Sequence, residues 1–431
     1  MPTSGTWIFR HGDRTPVENF PTGLHKESEW PQGFGQLTKI GMQQQYELGQ
    51  YVRKRYSNFL NATYNRHEIV IQSTDYDRTI MSTQVYLAGL FPPVGNQIWN
   101  PQILWQPIPV HTVPVSQDHM LHFPSPNCPC FDKLQNETQA SWQFQNKLQP
   151  YMVKQKGKNI NLRDYDIGLF PFSEIIHNYT LPKWASKDIM KKMKELAALS
   201  LQSIFGIYKT NDKSRLQGGV LVNAILKSIK NATQPSNKRK MQIFSAHDTT
   251  IGALQMALNI FNGKLPPYST CQFFELYQEN SGHYSIEMYY RNDSLTDPYP
   301  LRLPGCTSPC PLEKFAKLVS PVIVEDWSKE CGKCQFRLCL CSSSGLLLLL
   351  AAALSLFSLQ IFPSLFLPIP PPSTHWLKPS QVVCSVLVLE WHLLPPPPAS
   401  QTGLCRVARR GERGDKGRGK GSLPSSTPIT T

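Results

Sequence analysis

Three stretches of the chain share one pattern: a short apolar run, a cluster of polar and charged residues, then a helix-like segment. "TWIF" (6–9) leads into "RHGDRTP", "HEIVIQSTDYDRTIMSTQVYLAGLF" (67–91) breaks at Ser73–Asp75, and "KMQIFSAHDTTIGALQMALNIF" (240–261) breaks at His247–Asp248. Each of the three reads as a strand-to-helix junction of an α/β sheet. In an open α/β sheet the carboxyl ends of such strands gather beside helix N-termini, where backbone N–H groups favour anions. The three clusters are therefore expected to converge on one cleft.

Other segments fit that frame. Thr38 is placed as an N-cap before a helix carrying Met42, Tyr46, Val52, Tyr56 and Phe59 near one face. Ile189, Met193, Leu196 and Ile204 mark a second apolar stripe, and Val222, Ile225, Leu226 and Ile229 a third. Residues of about 101–186 are rich in Pro, His and aromatics and predict a smaller, mainly helical and irregular subdomain. The expected layout is a catalytic region over 1–335, with its α/β core at about 1–100 and 187–335.

Beyond Cys331 the composition changes. No charged residue occurs from Leu338 to Leu377, and residues 345–367 are apolar enough to predict a membrane span. Residues 368–431, with "PIPPP", "LLPPPP" and "RVARRGERGDKGRGK" (406–420), predict a Pro-rich, basic, disordered tail. Part of the formal net charge of +14 sits in that run, and the rest forms no aromatic-interleaved basic stripe. Nucleic-acid binding is therefore not expected. Eleven cysteines and five N-x-S/T sequons (Asn61, Asn136, Asn178, Asn231 and Asn292) point to the secretory pathway. "MPTSGTWIF" itself shows no signal peptide, having neither a basic n-region nor a long apolar run.

The clusters suit one chemistry. Arg10, Arg14 and Arg78 are permanently charged forks that match phosphate oxygens. His11 among them is pushed toward its neutral, nucleophilic form. His247 can donate to a phosphoryl oxygen, and Asp248 can protonate a leaving alcohol, which requires a low working pH. No Mg²⁺ ligand cluster or GxxxxGK[ST] motif is found, so no metal or cofactor is expected. Each residue alone has a plainer reading: Arg78 as a surface cation near Asp75 or Asp77, His247 as a core histidine, Asp248 as a helix cap. Asp13 is expected to order the loop rather than react. Their joint occurrence favours an enzyme.

"FRHGDRTP" with a distant "SAHDTT" resembles the histidine acid phosphatase family. The likeness continues through "ESEWPQGFGQLTKIGMQQQYELGQYVRKRY", "STDYDRTIMS", "IWNPQILWQPIPVHTVP", "SRLQGGVLVN" and "LPPYSTC" to "LPGC…CPLEKF". It implies a phosphoglycerate-mutase-like α/β fold, with a mixed, mostly parallel sheet flanked by helices. It also implies hydrolysis of phosphate monoesters through a phosphohistidine, with His11 as nucleophile, Asp248 as proton donor, and Arg10, Arg14, Arg78 and His247 on the phosphoryl group. The substrate would be a phosphopeptide, nucleoside monophosphate or lysophospholipid. Glycans on Asn61, Asn178 and Asn292, a dimer contact at Trp105 and His111, and a plasma-membrane or lysosomal enzyme with a luminal or extracellular catalytic region also follow from it. The implied disulfides are Cys128–Cys331, Cys306–Cys310 and a third from Cys271 to a cysteine just before "HNYT". That position here reads "FPFSEIIHNYT" and holds no cysteine, so Cys271 is expected to be free unless Cys130 captures it.

Between Tyr151 and Asn178 the chain departs from the family pattern, in a stretch that ordinarily supplies an aromatic wall of the pocket. The alternative reading is thus a catalytically impaired phosphate-binding or adhesion ectodomain. A phosphomutase or bisphosphatase of the wider superfamily is a third, and would be expected to work near neutral pH.

Overall fold

The computed structural model describes residues 1–19, 23–151 and 170–332. The apolar stretch 345–367, the tail 368–431 and residues 152–169 of the altered segment lie outside them. Among the described residues no helix is long and apolar enough to cross a membrane.

In chain order the elements are β1 (Ser4–Arg10), α1 (Lys39–Arg55), β2 (Ile69–Thr74), α2 (Asp77–Leu90), β3 (His111–Val113), α3 (Pro129–Ala140), α4 (Trp142–Leu148) and α5 (Phe170–Ile176). They continue with α6 (Lys187–Phe205), α7 (Thr210–Leu216), α8 (Gly218–Ala232), β4 (Met241–Ala246), α9 (Asp248–Ala257) and β5 (Cys271–Gln278). β6 (Tyr284–Arg291), β7 (Tyr299–Leu301), β8 (Cys310–Pro311) and α10 (Leu312–Val319) follow.

The described strands form one eight-stranded sheet in the order β3-β2-β4-β1-β5-β6-β7, with β8 on β6. β3, β2, β4 and β1 run parallel, and β5 pairs antiparallel with β1. β6 reverses again, and β7 and β8 pair antiparallel with it. Most strands therefore point one way: β1, β2, β3, β4 and β6.

Alternation along each strand sends neighbouring side chains to opposite faces. Trp7 and Phe9 of β1 join Ile71, Ile243 and Phe273 in the core under α1 and α2. Ile8, Phe244, Ala246 and Phe274 join the core under α8, α9 and α10. Burial on both faces explains the continuous apolar runs that mark these strands in the sequence.

The stripe of α8 is buried as expected, through Val222, Ile225, Leu226 and Ile229. That of α1 is buried only in part: Val52 and Tyr56 face inward, but with Gly41, Gln45, Leu48 and Gly49, while Tyr46 is exposed. The cause is a backbone contact between α1 and α2. A Cβ on Gly49 would lie 2.1 Å from Tyr86 O, and one on Gly89 2.3 Å from Tyr46 O. Glycines make that part of the face, and no tally of apolar residues finds it. The face of α6 is also rotated from the expected one, burying Met190, Ala197, Leu201 and Phe205 and exposing Ile189.

Smaller cores lie beside the helices. Phe131, Leu134 and Leu216 pack around the Cys128–Cys331 disulfide, and Phe144, Leu148, Leu199 and Ile207 form another cluster. Between them the fully buried Lys213 donates to Thr138 Oγ1, Ser203 O and Ile207 O, and desolvation pushes its ammonium down to about 7. A second disulfide joins Cys306 to Cys310. Cys271 is a free thiol, buried at the start of β5; Cys130 is itself disulfide-bonded, but not to Cys271.

Candidate active site

Parallel pairing sets β1 and β4 in register, Arg10 opposite Ala246, so the two strands end together. His11 N donates to Ala246 O at 3.0 Å, carrying the alignment one residue past β1. β2 ends on the other side of β4, with Ser73 opposite Ser245. The three polar clusters therefore meet at the carboxyl edge of the parallel half-sheet.

The RHGDR loop is tied from several sides. Gly12 N donates to Ser82 Oγ at 3.1 Å, Asp13 N to Gln44 Oε1 at 2.8 Å, and Gln45 Nε2 to Arg10 O at 2.8 Å. The loop passes so close to α1 that a Cβ on Gly12 would lie 2.2 Å from Gly41 O. Glycine here is required by backbone approach.

His11 is 2% exposed, and its Nδ1 lies 2.7 Å from Gly12 O. A carbonyl only accepts, so Nδ1 carries the proton and Nε2 of the neutral ring holds the lone pair. Burial first, then the charges of Arg78, Arg10, His247 and Arg14, hold the imidazole well below its ordinary range. The His247 ring lies 5.5 Å from that of His11 and is held low by burial, Arg78, His122, Arg10 and Arg14. Its Nε2 is 2.9 Å from Thr74 Oγ1; the Thr74 hydroxyl donates onward to Thr79 Oγ1, so His247 is the donor.

Asp248, the first residue of α9, pairs with Arg10, Oδ2 to Nη2 at 2.7 Å, and accepts from Thr249 N at 2.8 Å. Arg10 also donates to Pro266 O at 2.6 Å and stacks 4.2 Å from the Tyr268 ring centroid. Arg14 is buried and donates to Thr15 O. Arg78, half-buried in the first turn of α2, lies 4.7 Å over the Tyr76 ring. All six residues singled out from the sequence thus occupy this edge.

Asp13 is fully buried; its Oδ2 accepts from Thr38 Oγ1 at 2.6 Å and from His177 Nε2 at 2.7 Å. It orders the loop, and through His177 it ties the loop to the chain just after α5. Sequence reasoning did not find His177, nor the ring of Tyr76, His122 and Tyr268 around the histidines. Tyr76 packs on His122 with centroids 5.7 Å apart, and Tyr268 lies 5.7 Å from His11. Tyr76 and Tyr268 stand inside quoted motifs, and attention to aromatics beside the polar clusters would have found them; His122 and His177 carry no local signal.

His111 is the first residue of the edge strand β3, and Trp105 lies in the segment that leads into it. Both are exposed. Asn61, Asn136, Asn178 and Asn231 are exposed and Asn292 is half-buried. Among the described residues no three His, Cys, Asp or Glu side chains are grouped to hold a metal ion.

The chain matches the Histidine phosphatase superfamily (branch 2) over residues 6–291. It is 56% identical to prostatic acid phosphatase of Bos taurus over 336 residues, 76% of this chain and 87% of that one. Lysosomal acid phosphatase of Homo sapiens is 45% identical over 374 residues, 83% and 88% of the two chains. Among solved structures, a Hafnia alvei phytase in complex with tartrate covers 77% of this chain and 98% of its own, with a TM-score of 0.54 and 16% identity. That last likeness is one of fold alone.

Proposed function

The chain belongs to the histidine phosphatase superfamily (branch 2), and we propose that its reaction runs through a phosphohistidine on His11. It is an acid phosphatase, hydrolysing phosphate monoesters at acid pH. The observation that carries the mechanism is the Nδ1–Gly12 O contact, which leaves Nε2 as the free lone pair in a ring kept neutral by burial and arginines.

Nε2 of His11 attacks phosphorus, and the bond to the alcohol oxygen breaks on the far side. Arg10, Arg14 and Arg78 hold the equatorial oxygens, whose charge they match better as the transition state forms. His247 exchanges Thr74 Oγ1 for a phosphoryl oxygen as acceptor. Asp248 gives its proton to the leaving oxygen. In the free protein Asp248 is paired with Arg10; an arriving phosphoryl group draws Arg10 to itself and releases Asp248 to face the leaving oxygen. Water cleaves the phosphohistidine in the second step, its proton returning to Asp248.

The impaired-ectodomain alternative rests on the altered segment. The His177–Asp13 contact favours the enzyme instead, because the end of that segment is docked on the catalytic loop. Initial rates on p-nitrophenyl phosphate from about pH 4 to pH 8, with and without EDTA, decide between them. Turnover that peaks in acid and survives EDTA is expected; none at any pH, or loss to the chelator, defeats the reading.

Three finer assignments belong to the same proposal. A second copy of the chain packs on the edge strand β3 and the segment before it, where Ile98, Trp99, Leu104, Trp105 and His111 are all exposed. The protein works in the secretory pathway, consistent with its disulfides and exposed sequons, with glycans on the exposed Asn61 and Asn178. Residues 345–367 anchor it to the membrane; carbonate extraction that leaves the full chain soluble would end that idea.

A further inference from the structure

Beside Arg10 the protein forms a groove of about 610 Å³ that the proposed chemistry does not use. One wall is α6, the other the loop from Asn262 to Tyr268, and Tyr290 also lines it. Lys191 and Lys194, one helical turn apart on α6, line it opposite Lys264, and all three are exposed. Of the carboxylates near them, Asp188 pairs with Lys192, and Glu195, which also lines the groove, accepts from Tyr151 Oη. Among the described residues no carboxylate pairs with Lys191, Lys194 or Lys264. With Arg10 at one end, four cations and one carboxylate border a single groove, which leaves a net positive charge.

Its position ties it to the leaving group. Asp248 is bonded to Arg10, and Arg10 to Pro266 O in the groove wall. A group departing from phosphorus on the Asp248 side thus leaves beside Arg10 and Tyr268, where the groove begins. The walls between the lysines are apolar, built by Ala198, Leu265, Pro266, Pro267 and Tyr268. A lone phosphate ester with a compact neutral alcohol would use neither the walls nor the spread of charge. An extended peptide uses both, its backbone lying along the prolines and tyrosines and its acidic side chains reaching the ammonium groups.

We propose that this groove is a leaving-group subsite selecting phosphopeptides with Asp or Glu beside the phosphorylated residue. The assignment rests on the phosphatase reading of the adjacent site. It adds charge selectivity to a reaction whose phosphoryl contacts are blind to the alcohol. At about pH 5 the peptide carboxylates are mostly ionised and lysine ammonium groups fully so, so the attraction operates where the enzyme works.

The test uses the full chain and two phosphotyrosine peptides of equal length, one flanked by Glu and one by Lys, with a bisphosphorylated sugar as a small polyanion. Competent turnover of p-nitrophenyl phosphate by the unaltered protein establishes the underlying reading separately. The ratio of kcat/KM, acidic over basic peptide, is expected to exceed one by about tenfold at low salt. It should shrink as ionic strength rises toward about 1 M, where screening acts within a few ångströms. Joint reversal by Lys191→Glu, Lys194→Glu and Lys264→Glu should bring the ratio to one or below. An unaltered protein whose ratio is near one, or a ratio that ignores both salt and charge reversal, overturns the proposal. Charge reversal felt only by the bisphosphorylated sugar would overturn the peptide assignment in favour of a small polyanion.

Discussion

The two halves of the sheet differ in what their strand ends can do. β3, β2, β4 and β1 run parallel, so their carboxyl ends, and the loops that follow, lie along one edge. Every residue assigned to phosphoryl transfer sits on that edge. β5, β6, β7 and β8 pair antiparallel, so successive ends alternate between the two edges and their connections cannot accumulate at one. That half contributes burial, the free thiol Cys271 and the approach of Tyr268 just before β5. Chemistry is concentrated by strand direction, not by burial: Arg14 and Arg291 are buried alike, at 6% and 5% exposed.

Those two arginines give the largest expected contrast. Arg14→Ala removes a phosphate fork and should lower kcat/KM by about 10²–10³-fold, with little change in stability beyond that of any buried polar truncation. Arg291 donates to Ser294 O at 3.1 Å and lies 4.7 Å from the Tyr51 ring centroid. Arg291→Ala should cost about 1–3 kcal/mol of stability and leave kcat within about threefold. Steady-state kinetics with urea melts on both variants measure this, and equal activity losses would erase the distinction.

Glycines sharpen it. Gly12→Ala drives a methyl into the Gly41 backbone, neither side of which can yield without moving the loop or α1. A destabilisation of about 3 kcal/mol or more is expected, with activity lost as the loop shifts. Gly282, in the turn between β5 and β6, has φ +82° and open space, with no atom within 4 Å of where a methyl would stand. Gly282→Ala should cost only about 1 kcal/mol, the strain of a left-handed residue. Urea midpoints read both.

Acid sensitivity should belong to the same half. His11 and His247 bind a proton less readily folded than unfolded, where their value is near 6.5. Between their folded values and about pH 6.5 the unfolded chain holds more protons, so stability rises with pH there. The stability tied to these neutral imidazoles is complete above about pH 6.5 and is lost as pH falls below it. Each should cost about 1.4 kcal/mol per pH unit while it stays unprotonated in the fold. Tyr289 and Tyr290 of β6, both pushed up to about 12 chiefly by burial, act only at the alkaline end. Melts between pH 7 and pH 5 should flatten in the His11→Gln, His247→Gln double variant; an unchanged slope would place the acid sensitivity elsewhere.

How much of this is legible in the sequence depends on how local each signal is. The parallel half announces itself because strands buried on both faces are apolar throughout, and their polar breaks mark the carboxyl ends. α8 is legible for a similar reason: Val222, Ile225, Leu226 and Ile229 recur at helical spacing with nothing to disturb the period. Part of the inward face of α1 escapes such a reading because Gly49 meets Gly89 across a backbone contact, and the partner lies forty residues away on α2. His177 escapes it because its role depends on where the chain after α5 travels before meeting Asp13. The lysine groove needs two distant segments, α6 and the 262–268 loop, to be set face to face.

The most direct measurement is the fate of the phosphoryl group during turnover. A rapid quench with ³²P-labelled substrate should leave label on the protein that is stable to base and labile to acid, as a phosphohistidine is, and His11→Ala should carry none. Label that resists acid, or that persists undiminished on His11→Ala, would contradict the account.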